Sequence, residues 1–97
     1  MLTNKQKAYL KGLGNGLSSI FQIGKDGVTP NVISTIDDAL RAHELIKINV
    51  LKTSPQEMQE VAIEISAHTH CEVVQIIGRV IVLYRKNKDK QRIVLPK

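Results

Sequence analysis

The chain has 97 residues, 42% of them hydrophobic and 24% charged, with a formal charge of +5 and a pI of about 9.6. That length carries one domain with a modest core that needs no disulfide or metal staple, and charges spread along the chain argue against wholesale disorder. The basic balance favours polyanionic partners, nucleic acid ahead of an anionic membrane, while the single Cys71 excludes an internal disulfide and fits a reducing compartment.

At the amino end, Met1-Leu2-Thr3-Asn4 lacks the apolar core of a signal peptide, and no apolar run reaches bilayer-spanning length, so the expected location is cytoplasmic. Thr3-Asn4-Lys5-Gln6 has capping-box form and predicts a first helix starting near Asn4. Ala8, Tyr9, Leu10 and Leu13 give it an apolar side, Lys5, Lys7 and Lys11 spread over the remainder, and Gly12, Gly14 and Gly16 predict an end by Gly14. Residues 17–23 follow as a first strand.

Gly24-Lys25-Asp26-Gly27 comes next, between that strand and a helix start at Thr29-Pro30. Two glycines three apart open backbone angles closed to other residues and present bare amides, and Lys25 adds positive charge, so the loop suits a phosphate. The same residues also fit a plain strand-to-helix turn, because Asp-Gly is a general turn dipeptide.

Beyond the loop, Thr29 as N-cap and Pro30 at the first helical position launch a second helix. Val32, Ile33, Ile36, Ala39 and Leu40 recur at helical spacing, Asp37, Asp38 and Arg41 lie outside, and the helix should end near His43. Residues 45–51 alternate as a half-buried strand with Ile46, Ile48 and Val50 on one face. Ser54-Pro55-Gln56-Glu57 repeats the capping-box form and predicts a third helix to about Thr69, with Glu57, Glu60 and Glu64 as a solvated flank.

Residues 71–77 and 80–85 are β-rich runs around Gly78-Arg79, a two-residue loop that suits a type II′ turn. That turn sets Ile77 opposite Val80, Gln75 opposite Val82 and Val73 opposite Tyr84 on one side. On the other it sets Ile76 opposite Ile81, Val74 opposite Leu83 and Glu72 opposite Arg85. Both faces are apolar, so the second and third helices are expected on one and the first helix on the other. A basic run with Lys86, Lys88, Lys90 and Arg92 then precedes Ile93-Val94-Leu95, a candidate edge strand. The expected fold class is α/β with α+β two-layer character: a mixed four-stranded sheet packed with helices, in the order α-β-α-β-α-β-β.

Enzyme chemistry is poorly supplied. His68-Thr69-His70-Cys71-Glu72 has no spacing that closes a tetrahedral metal site, and Cys71 has no activating arrangement. Gly12-x-Gly14-x-Gly16 follows no strand and is no dinucleotide fingerprint, and no P-loop motif occurs. No cofactor, metal or small-molecule substrate is expected.

The element order, Lys11-Gly12-Leu13, Ile23-Gly24-Lys25-Asp26-Gly27, His43-Glu44-Leu45-Ile46-Lys47, Gln75-Ile76-Ile77-Gly78-Arg79 and Val82-Leu83-Tyr84-Arg85 together resemble a CRM domain. CRM stands for chloroplast RNA splicing and ribosome maturation, and the likeness is to the family's free-standing bacterial form. The resemblance implies an RNA-binding domain with a fold similar to the carboxyl-terminal domain of translation initiation factor 3. It also implies association with precursors of the large ribosomal subunit, as in bacterial members, whereas plant members promote intron splicing.

In the family the Gly-Lys-x-Gly loop is the RNA contact, compared with the GxxG loop of KH domains. That role carries over to Gly24, Lys25 and Gly27, with Asp26 in the variable position. Lys5, Lys7, Lys11 and Arg79 complete the candidate RNA-binding set. Phe21, Tyr9 and Tyr84 are the only aromatics, so recognition is expected to lean on phosphates and RNA shape. The expected function is non-enzymatic binding of ribosomal RNA that assists large-subunit assembly. The competing expectation is an adaptor whose basic surface meets an acidic protein.

Overall fold

The Thr3 capping box forms. In the computed structural model, which describes residues 2–89 and 91–97, the Gln6 amide donates to Thr3 Oγ1 at 3.1 Å and the Thr3 amide to Gln6 Oε1 at 3.0 Å. These bonds start α1 (Asn4–Asn15), which runs past the expected end at Gly14 to a cap at Gly16. Packing explains the extra length: a Cβ on Gly14 would lie 3.2 Å from Val82 Cγ1, so the glycine seats the helix end on the sheet.

The next element, β1 (Phe21–Ile23), is shorter than predicted. Residues 17–20 cross from the α1 layer to the sheet edge as irregular chain, with the Ile20 amide donating to Lys47 O at 2.9 Å. α2 (Pro30–His43) begins as expected, Thr29 Oγ1 accepting from the Val32 amide at 3.2 Å, and β2 (Leu45–Val50) follows.

α3 (Met58–Thr69) starts later than the second capping box predicts. Glu57 is its N-cap without a side-chain bond, and Ser54 Oγ is buried with no hydrogen-bond partner among the described residues. The connection is drawn instead toward the glycine loop, where the Gln56 side chain accepts from the Val28 amide at 3.0 Å.

β3 (Glu72–Ile77) and β4 (Val80–Tyr84) close a four-stranded sheet of order β1-β2-β4-β3, with β1 parallel to β2 and the other pairs antiparallel. Gly78 has φ +56°, as a turn with glycine first requires. Near the turn the expected pairs hold: Ile77 with Val80, Ile76 with Ile81 and Gln75 with Val82. A bulge then shifts the register, so Val73 pairs with Leu83 and Glu72 with Tyr84, and not Val73 with Tyr84, Val74 with Leu83 or Glu72 with Arg85. The bulge turns Val74 toward α1, where it is buried with Leu10, Leu45, Val82 and Tyr84.

Ile36, Leu40, Val61 and Ile65 of α2 and α3 pack on Ile46, Ile48, Ile81 and Leu83 to form the larger core. α1 covers the opposite face through Leu10. Residues 93–95 form no strand. Ile93 and Leu95 pack on the α1-side cluster, while the Glu44 carboxylate takes the amides of Asn87 at 2.8 Å, of Ile93 at 2.9 Å and of Arg92. Those amides are satisfied by a charge rather than by a strand ladder. Lys90 lies outside the described residues.

Arg85, released from the expected partner Glu72, donates to Asp37 Oδ1 at 2.5 Å and to Thr69 O at 2.8 Å, tying β4 to both α2 and α3. The Arg85 hydrogen bond holds the Asp37 carboxyl below its ordinary value. Burial pushes the Glu44 carboxyl up, but the amides of Asn87, Arg92 and Ile93 outweigh it and the net shift is downward. Both groups therefore contribute stability that is present above about pH 4.5 and lost as pH falls through their folded values. The expected result is a urea midpoint that drops between neutral pH and about pH 3, with a shallower slope in the Asp37→Asn, Glu44→Gln double variant. Equal slopes would show that these carboxylates are not the source.

Candidate functional site

Gly24 leaves β1 where the Leu51 amide donates to Ile23 O at 2.8 Å, and the Gly27 amide donates back to Gly24 O at 3.0 Å. The resulting tight turn projects Lys25 and Asp26 into solvent. Neither side chain makes a hydrogen bond or ion pair among the described residues.

The two glycines have different reasons to be glycine. Gly27 is buried with φ +67°, and a Cβ there would lie 2.8 Å from Gln56 Oε1 and 3.3 Å from Pro55 Cγ. Gly24 has no positive φ, and its nearest contact for a Cβ would be an ordinary 3.9 Å to Leu51 Cδ1. The fold thus demands glycine at Gly27 and leaves the backbone at Gly24 open to close approach from outside.

The loop is also held from behind. Gln56 Oε1 accepts from the Val28 amide at 3.0 Å, and Gln56 Nε2 donates to Glu64 Oε2 at 2.5 Å, so α3 and its preceding connection fix the start of α2. Such support keeps the turn in one shape before any ligand arrives.

Arg79 sits at the same end of the sheet, half-buried, with Nε donating to Val50 O at 2.9 Å and Nη2 to Leu51 O at 2.5 Å. Its guanidinium therefore pins the β3–β4 turn to the end of β2, and its charge stands beside the glycine loop through Leu51. Lys52, exposed just past β2, joins them and was not among the sequence candidates. The signal for it is topological: β1 and β2 are parallel, so Lys52 follows β2 at the edge where Lys25 follows β1.

The α1 lysines are placed differently. Leu2 and Leu10 pack with Leu45 and Tyr84, and the Gln6 side chain donates to Pro96 O at 3.1 Å, which sets the amino end of α1 over the far end of the sheet. Lys5 and Lys7 are there, while the exposed Lys11 is nearer the middle. The structure thus gathers Lys25, Arg79 and Lys52 at one end and leaves Lys5 and Lys7 at the other.

Charge divides by face. α1 carries Lys5, Lys7 and Lys11 and no acid, whereas α2 and α3 carry Asp37, Asp38, Glu60 and Glu64 with Arg41 as their only lysine or arginine. Elsewhere, Cys71 is buried, which pushes its thiol up, and no group of three potential metal ligands converges among the described residues.

A mixed sheet with helices on both faces, and a GxxG turn joining a parallel strand to the next helix, defines a class of small α+β domain. The chain belongs to the CRS1/YhbY (CRM) domain family, whose model matches residues 2–85. It is 43% identical over 96 residues to Bacillus subtilis YqeI, named as a probable RNA-binding protein, covering 99% of this chain and 100% of that one. It is 38% identical over 96 residues to a Haemophilus influenzae RNA-binding protein, covering 99% and 96% of the two chains. The solution structure of Staphylococcus aureus SAV1595 has the same fold, with a TM-score of 0.83, 47% identity, and coverage of 99% of this chain and 100% of that one.

Proposed function

We propose that this chain is a non-enzymatic RNA-binding protein that grips the RNA backbone with its glycine loop. The observation that carries the reading is the loop itself: a turn braced by Gln56, with Lys25 free in solvent and bare backbone at Gly24. The Lys25 and Asp26 amides, which donate to no group among the described residues, and the Lys25 ammonium suit phosphate oxygens, and the missing Cβ admits a sugar-phosphate chain. Arg79 and Lys52 add charge at the same edge, and relatives named for RNA binding span nearly the whole chain. The RNA in this reading is ribosomal, in cytoplasmic precursors of the large subunit, where binding favours one RNA fold over others.

Lys25→Glu is expected to weaken binding to structured ribosomal RNA fragments by about tenfold at moderate salt, through loss of a phosphate contact and added repulsion. Thermal unfolding should be unchanged, because the Lys25 side chain has no partner among the described residues. Unaltered affinity, read by filter binding or anisotropy, would remove the loop from the interface. Crosslinking in cells should give reads concentrated on large-subunit ribosomal RNA. A spread over messenger RNA would overturn the assembly reading.

A further inference from the structure

Between the glycine loop and the end of α1, part of the sheet lies uncovered. Strand pairing sets Gln22 beside Asn49, Asn49 beside Val80, and Val80 beside Ile77 on the α1 side; the adjacent row sets Lys47 beside Val82 and Val82 beside Gln75. α1 stops at Asn15, with Gly14 seated on Val82, so the first of these rows is left open and Ile77 is 56% exposed. Asn15, Lys47, Gln75, Ile77, Val80 and Val82 line a hollow of about 140 Å³ there.

The chemistry of that row is unusual for a solvated sheet. The side chains of Asn15 and Gln75 line the hollow with an apolar floor of Ile77, Val80 and Val82, Asn49 lies beside Val80 and Gln22 beside Asn49 in the same row, and none of these four side chains makes a hydrogen bond among the described residues. Each carboxamide offers an acceptor oxygen and two donor hydrogens in one plane, the complement of a nucleobase edge. A flat apolar floor suits the face of the same base. The partition of charge sends a polyanion to this side, since α1 and Lys47 are basic while α2 and α3 are acidic. Distance also fits: Gln22 precedes Gly24 by two residues, about 7 Å of extended chain.

Resting on the RNA-binding reading above, we propose that this open row is a nucleobase site. An unpaired base next to the backbone segment gripped by the loop lies on Ile77 and Val80, and Asn49 and Gln75 hydrogen-bond its edge. The loop supplies affinity without regard to sequence. The row adds a preference for unpaired RNA and among bases, which the near absence of exposed aromatics otherwise denies this chain.

The test compares Asn49→Ala, Gln75→Ala with the unmodified protein on single-stranded A, C and U oligonucleotides and on a blunt RNA duplex. The double variant is expected to lose about tenfold in affinity for its best single strand, its affinities for the three converging, with duplex binding unchanged. In the unmodified protein, the side-chain NH₂ resonances of Asn49 and Gln75 should shift on adding that strand and stay fixed on adding duplex, a readout that does not depend on a variant folding. A variant that keeps both affinity and base preference, or fixed resonances in the presence of bound single strand, would overturn the base site while leaving the loop reading intact. Failure of the unmodified protein to bind any RNA would overturn both.

Discussion

Glu44→Ala is expected to lower stability by about 2–4 kcal/mol, the loss that follows when a buried, charge-assisted hydrogen-bond hub is deleted. Glu44 is 0% exposed and occupies the junction of α2 and β2 at φ 63°, where its amide donates to Leu40 O and its carbonyl accepts from Arg85, both at 2.9 Å. Its carboxylate meanwhile collects the amides of Asn87, Arg92 and Ile93. Without the carboxylate, those amides are either left without an acceptor or released to water, and release strips Ile93 and Leu95 from the Leu10–Tyr84 cluster. Urea unfolding should report the lost stability, and limited proteolysis should cut after Lys86 or Lys88 far faster than in the unmodified chain. An unchanged midpoint with a protected tail would show that Ile93 and Leu95 hold the segment unaided.

Glu44 also marks where reading the sequence stops. A glutamate between a helix and a strand looks like a surface charge, and the amides that define its role lie 43, 48 and 49 residues away. Local chemistry was legible where the deciding partners are close along the chain: the Thr3 and Thr29 caps, Pro30, the Gly78 turn and the Gly27-to-Gly24 bond that closes the glycine loop each depend on neighbours within a few residues. The Ser54 capping box had the right residues and failed, because Gln56 found the Val28 amide 28 residues away and the connection was shaped by that contact. The bulge at Val74 escaped for the same reason, since what selects it is the pocket beneath Leu10 and not the turn. At the candidate site, Lys25 was visible as chemistry. The grouping of Lys25 with Arg79 and Lys52, and its separation from Lys5 and Lys7, came only with the strand order.

The sharpest consequence concerns the two glycines of the loop, which sequence alone treats as equivalent. Gly27→Val is expected to cost about 2–4 kcal/mol: a β-branched residue at φ +67° is strained, and its Cβ would meet Gln56 Oε1 at 2.8 Å, breaking the bond to the Val28 amide. Its RNA affinity should fall as well, but only as a by-product of a displaced turn. Gly24→Ala should do the reverse. Its Cβ meets nothing closer than 3.9 Å and its backbone angle is open to alanine, so stability should hold within about 0.5 kcal/mol or rise slightly through a less flexible unfolded chain. If the bare backbone at Gly24 is where a sugar-phosphate chain comes closest, that one methyl group should nevertheless weaken RNA binding several-fold. Paired unfolding and binding measurements on the two variants separate a glycine kept for the fold from a glycine kept for the ligand. Full RNA affinity in Gly24→Ala would move the closest approach to the amides and charge around Lys25.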